Sequence, residues 1–221
     1  MTTDQERVPA VAPTGKRAER SRQAIVSAAR EAFVRNGFDI GMDAIAASAG
    51  VSKVTVYNHF KSKQDLFSEV IGEAMDEAHA TLADVRADLA DSEDTREALI
   101  RIAWAMINTA NDPSRLGLRN VVTAELHRFP ELGDAWQQRG PARSAANLAG
   151  ALQDLCDRGQ LAIPDPEVAV IQFFGLTVYP HLIMGSFGSS IDPDLTDRLI
   201  RDGVDMFLSH YRPERSGADS V

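Results

Sequence analysis

An all-α fold of about nine helices is what the sequence predicts, and three observations predict it. Hydrophobic residues recur at helical spacing through almost the whole chain. The periodic segments are separated by glycine and proline pairs that stop helices. No stretch alternates apolar and polar residues in the manner of a strand. Composition agrees, because 44% hydrophobic residues with only 6% aromatics favours helices over sheets.

The elements follow in order. Ile25, Ala28, Ala29, Ala32 and Phe33 form one apolar face of a first helix, which stops at Asn36-Gly37. A short second helix runs over about 42–49 and ends at Gly50. Ser52 stands where an N-cap belongs and opens a third short helix through Phe60. Ser62 caps a fourth, which starts near Lys63 and carries Leu66, Phe67, Val70, Ile71, Ala74 and Met75. Further helices are expected at 93–111, 114–127, 131–158, 165–185 and 193–211. Asp112-Pro113, Phe129-Pro130, Arg158-Gly159, Pro164 to Pro166 and Asp192-Pro193 punctuate them. Gly140-Pro141 should break or kink the 131–158 segment.

Four regions are expected. Residues 1–14 read as a disordered arm and 213–221 as a flexible tail, both polar. Between them lie a head at 15–63 and a larger helical body at 64–212. The single cysteine, Cys156, allows no internal disulfide and suits a reducing cytoplasm. No apolar run approaches the ~20 residues of a membrane helix, and 1–14 has no apolar core of the signal-peptide kind.

Net charge is −9, which on its face argues against nucleic acid. The charge is unevenly spread. Nine basic residues against four acidic ones leave +5 over 14–63, so the rest of the chain carries −14. A basic head on an acidic body is the asymmetry of a nucleic-acid-binding module.

The head's two short helices are joined by Ala49-Gly50-Val51. Glycine permits a tight turn, and Ile45, Ala46, Ala49, Val51, Val56 and Phe60 supply a small core. This is the helix-turn-helix pattern, whose second helix enters a major groove. The run Gly50-Val51-Ser52-Lys53-Val54-Thr55-Val56-Tyr57-Asn58-His59-Phe60-Lys61-Ser62-Lys63, with Gly37-Phe38 before it and Leu66-Phe67 after it, closely resembles the recognition segment of the tetracycline-repressor (TetR) family. The resemblance extends from about Arg20 to Ile71. It implies a dimeric, ligand-responsive transcriptional regulator. It also implies DNA contacts from Lys53, Thr55, Tyr57 and His59, with Lys63 gripping phosphate at a helix N-terminus. Val54 and Asn58 share that helix, and Arg17, Arg20 and Arg22 can extend the phosphate contacts. Tyr57 packing against the first helix is the plainer alternative, and Lys61, Arg30 and Arg35 read as surface charges.

Two positions depart from the family pattern. Gly41 caps the second helix where serine or threonine is usual, at a cost of a few tenths of a kcal/mol. Val54 replaces a common glycine, and its side chain is expected to touch a thymine methyl. Asp43 would repel phosphate and reads better as a charge at a helix N-terminus.

The segments Ala124–Leu132, Gly140-Pro141 and Gly159-Gln160-Leu161 resemble one C-terminal subfamily, the AefR-like one. This implies a ligand pocket and dimer interface without naming the ligand. Pocket candidates are Trp104, His127, Phe173, Phe174, Tyr179, His181 and Met184, with ordinary core the competing reading. An apolar small-molecule effector with one or two polar groups suits these residues. Interface candidates on 165–185 and 193–211 are Ile171, Phe174, Val178, Leu195, Leu199 and Phe207. A two-fold homodimer would match a palindromic operator with half-sites ~34 Å apart, and an effector favouring splayed heads would release it.

An enzyme is the rival class, but no nucleophile elbow, phosphate loop or metal-ligand spacing is present, and no cofactor is expected. The five histidines are scattered, and Cys156 reads as a packing thiol. A helical adaptor that has lost DNA binding is a third reading, which the intact Lys53, Thr55, Tyr57, His59 and Lys63 set opposes. The family resemblance implies release of a repressed gene, with an activator as the alternative that these residues do not exclude.

Overall fold

The computed structural model describes residues 15–89 and 94–213. The arm expected at 1–14 and all but the first residue of the expected tail lie outside them. The described residues form eleven helices and no strand. The helices are α1 (Lys16–Asn36), α2 (Met42–Ser48), α3 (Lys53–His59), α4 (Lys63–Leu89), α5 (Thr95–Ala110), α6 (Pro113–Glu125), α7 (Pro130–Arg139), α8 (Pro141–Asp157), α9 (Pro166–Thr177), α10 (Tyr179–Ser186) and α11 (Pro193–Tyr211). Gly140-Pro141 breaks the 131–158 segment, as expected, into α7 and α8. The segment expected as one helix over 165–185 is divided at Val178 into α9 and α10, with Pro180 in the first turn of α10. A proline at 180 cannot donate to the carbonyl of Leu176, so the helical ladder fails there.

The chain packs as two compact units. The first takes 15–73 together with 117–135, the second 74–116 with 136–213. The boundary expected at 63/64 therefore falls ten residues later, inside α4, and the first unit draws a second segment from far along the chain.

In the first unit α1 buries Ile25, Val26, Ala28, Ala29 and Phe33. It ends at Gly37, whose φ of +75° few other residues adopt. An aromatic cluster follows from that sharp exit. Phe33 meets Phe67 edge-on at 4.7 Å, and Phe38 lies 5.5 Å from Phe67 and 5.0 Å from Phe129. Ile45, Val56, Leu66, Val70, Ile71, Leu118 and Leu132 complete the burial.

The second unit is built on Leu99, Ala103, Leu148, Leu152, Phe173, Ile200, Val204 and Phe207. Aspartates open its helices: Asp94, Asp165 and Asp192 each accept a backbone N–H of the first turn. Arg96 forks onto Asp205 with bonds of 2.6 and 2.9 Å, joining α5 to α11. Gly203 lets α11 lie so close to α9 that a Cβ there would stand 2.9 Å from the Leu176 carbonyl oxygen. Among the described residues no single helix is long and apolar enough to cross a membrane.

Candidate nucleic-acid interface

The turn between α2 and α3 is set by its hydrogen bonds. The Val51 N–H donates to the Ala46 carbonyl at 3.0 Å and the Gly50 N–H to Ala47 at 3.2 Å. This double closure needs a left-handed residue, and Gly50 supplies it at φ +66°. Ser52 then caps α3, its Oγ accepting from the Thr55 N–H at 3.1 Å. With only seven residues, α3 depends on that cap and on its packing. Val56 and Phe60 provide the packing, both buried beside Ile45 and Ala46.

One helical face being buried, the other must be presented. Lys53, Val54, Tyr57 and Asn58 are all exposed. Val54 is 68% and Tyr57 45% exposed, so Tyr57 is not packed away against α1. An apolar side chain held in water beside a lysine and a phenol has little to gain from the folded chain alone. Arg17 and Arg20 are exposed in the first turns of α1, and Lys61 is exposed after α3.

Other expected contact residues are engaged within the unit. The Thr55 hydroxyl lies 2.8 Å from Ser52 Oγ, part of the cap. The Lys63 ammonium donates to the Ile40 carbonyl at 3.3 Å and sits 4.6 Å over the Phe38 ring, tying down the α1–α2 loop. Arg22 is not a free phosphate ligand either. Its guanidinium bonds Glu69 at 2.7 Å and stacks over Phe60 at 5.5 Å, which braces the end of α3. His59 is half-buried, and desolvation, then the charge of Arg22, lowers its pKa.

One partner was not foreseen. The Lys53 ammonium bridges both oxygens of Asp43, at 2.8 and 3.0 Å, and the hydrogen bond raises the lysine's pKa. Asp43 stands in the first turn of α2, as expected, but its carboxylate is turned toward the recognition helix.

The pocket candidates do not form one group. His127 is exposed and belongs to the first unit, apart from the others. Phe173 is fully buried, edge-on to Phe207 at 5.3 Å. Phe174 stacks on the exposed Tyr179 at 5.8 Å. Met184 is exposed, and the half-buried Trp104 packs against the second unit's core. His181 is buried, its Nε2 has no partner, and desolvation lowers its pKa. An open apolar groove of about 380 Å³ lies elsewhere, lined by Gln172, Gly175, Leu176, Met206, Phe207, His210 and Tyr211.

Of the interface candidates, Ile171 and Leu195 are exposed and Phe174 and Leu199 half-buried. Val178 and Phe207 are corrected: at 3% and 1% exposure they are part of the chain's own core. Cys156 is half-buried against that core.

Comparison with known proteins bears on both units. Residues 25–70 match a family model described as bacterial regulatory proteins, tetR family. Residues 97–213 match one described as the AefR-like transcriptional repressor C-terminal domain. A solved TetR-family regulator from Mesorhizobium loti is 31% identical, covers 90% of this chain and 100% of its own, and superposes with a TM-score of 0.83. The flavonoid-responsive regulator FrrA gives 26% identity, coverage of 89% and 100%, and a TM-score of 0.74. The transcriptional activator FasR of Mycolicibacterium smegmatis is 40% identical over 84 residues, which span 38% of this chain and little more than a third, 36%, of that relative.

Proposed function

We propose that the chain, which belongs to the TetR family of transcriptional regulators, is a homodimeric repressor that binds a palindromic operator and is released by a largely apolar small molecule. The observation that carries the DNA reading is the two-sided α3. Its inner face is locked by Val56, Phe60 and the Ser52 cap, and its outer face offers Lys53, Val54, Tyr57 and Asn58. Of these, Lys53 and Val54 are suited to base edges; Arg17 and Arg20 are suited to phosphate. Thr55, His59 and Lys63 act chiefly by holding α3 and its flanking loop in place, with donors left over for the backbone.

Repression is favoured by the likeness of 97–213 to a repressor domain. Activation is kept as a second reading because FasR is an activator. The exposed apolar residues Ile171 of α9 and Leu195 and Met206 of α11, with the groove beside Gly175, favour pairing of these helices with their copies. Buried His181, with its unpartnered Nε2, favours an effector carrying one hydrogen-bonding group. An aromatic effector is consistent with the flavonoid response of FrrA.

The test is fluorescence anisotropy on DNA from upstream of the protein's own gene, over a salt series and with random duplex as competitor. Binding that survives the competitor and weakens steeply with salt is expected. A reporter gene then separates the two readings, since deleting the regulator raises transcription for a repressor and lowers it for an activator.

A further inference from the structure

We propose that Asp43 is a specificity-determining residue, which neutralises Lys53 toward phosphate and aims the pair at a G·C base pair. The inference rests on the DNA-binding reading above. Asp43 and Lys53 are both well exposed, and their contact spans the point where the start of α2 meets the start of α3. Exposed ion pairs contribute little to stability, so holding the fold together is a poor reason for this one.

Its electrostatic consequence is larger. A lysine at the head of a recognition helix would displace a counterion from any duplex, whatever its sequence. Here a carboxylate within 3.0 Å cancels that charge where the protein needs cations. Phosphate offers only acceptors and a negative charge, so what the lysine gains there is offset by repulsion of Asp43, whose free lone pairs find no donor. A G·C pair offers guanine N7 and O6 as acceptors next to the cytosine amino group as donor. The ammonium has three donors, and Asp43 has free lone pairs. Lys53 can donate to guanine while Asp43 accepts from cytosine, so the ion pair is satisfied only on the correct base pair. Exposed Val54, next along α3, then reads the neighbouring position by apolar contact.

The experiment uses the full chain with Asp43→Asn, Lys53→Gln and the double variant, on random duplex DNA and in selection from a randomised pool. Asp43→Asn is expected to bind random duplex more tightly, with the logarithmic salt slope steeper by about 0.9 per head. Over a fourfold change in salt that amounts to roughly threefold per head. The double variant should return to the wild-type slope, and both should lose a G·C preference at one position of each half-site. A merely structural Asp43 would lower the thermal midpoint and leave the slope unchanged. Weaker or unaltered binding of Asp43→Asn to random duplex, with wild type bound, overturns this inference alone. Wild-type protein that binds no duplex at low salt overturns the DNA-binding reading as well.

Discussion

Replacing Gly203 by alanine tests the packing of the second unit most directly. The new Cβ would stand 2.9 Å from the Leu176 carbonyl oxygen, 3.2 Å from Leu176 Cβ and 3.3 Å from its carbonyl carbon. Two of those obstacles are backbone atoms, and backbone in a helix cannot rotate aside as a side-chain tip can. Restoring ordinary contact moves α11 from α9 by about half an ångström, which forfeits about a quarter of each dispersion well along the shared face. That face carries Phe207 against Phe173 and the buried Ile200 and Val204. Overpacking of this kind costs about 3 kcal/mol at the upper end of the usual range. Alanine regains ~1 kcal/mol over glycine in a helix interior. The net loss is then about 2 kcal/mol, a fall of about 4–8 °C in thermal midpoint for a chain of this length. Differential scanning calorimetry at one fixed protein concentration reads it, the concentration being fixed because dimerisation moves the midpoint. An unchanged or raised midpoint would refute the close-approach argument, since helix propensity alone predicts a rise.

Three further outcomes are expected. Ser52→Ala removes the cap of α3 at ~1 kcal/mol; because α3 must be ordered to bind, operator affinity should drop by up to about fivefold per head by anisotropy, and an undiminished affinity would mean that the cap is dispensable. Val54→Gly should erase the A·T preference at one position of each half-site in a pool selection; an unchanged preference places Val54 off the thymine methyl. Burial lowers the pKa of His181 in the folded chain, whereas the unfolded imidazole titrates near its ordinary 6.5. The unfolded state thus binds more protons, and stability falls as pH drops below that value. Urea midpoints at pH 7.5 and 5.5 should differ less in His181→Gln, with a residue of the effect left by His59 and His79, whose pKa values are also lowered by burial; an equal difference would show that His181 is not the group concerned.

What was legible in the sequence was local. Caps at Ser52 and Ser62, stops at Gly37 and Gly50, and apolar periodicity all act within a few residues, so they survive without knowledge of the fold. The division at Val178 was missed because Phe173 to Met184 is apolar on both sides of it, and such a run hides where a helix bends. Interface and core were confused at Val178 and Phe207 for a related reason. A hydrophobic stripe shows that a residue is buried, not whether its own chain or a copy covers it. Lys53, Val54, Tyr57 and Asn58 are exposed on the head, but the partners of its cations are not legible in the sequence. Asp43 with Lys53, Glu69 with Arg22 and the Ile40 carbonyl with Lys63 join residues ten to nearly fifty positions apart, and no periodicity announces such pairs.

The first unit's second segment has a practical consequence for anyone who would exchange heads between regulators. Phe129 lies against Phe38, Arg128 reaches Asp39 at 3.3 Å, and Gly117 leaves room for Val34. A chimera cut after residue 73 would carry α1, α2 and α3 into the new host and strip Phe38 of Phe129, one of its three aromatic neighbours. The transplantable cassette is discontinuous. Unless the recipient's own counterpart of 117–135 happens to fit, that stretch must travel with the head, and the two pieces must be chosen as a pair.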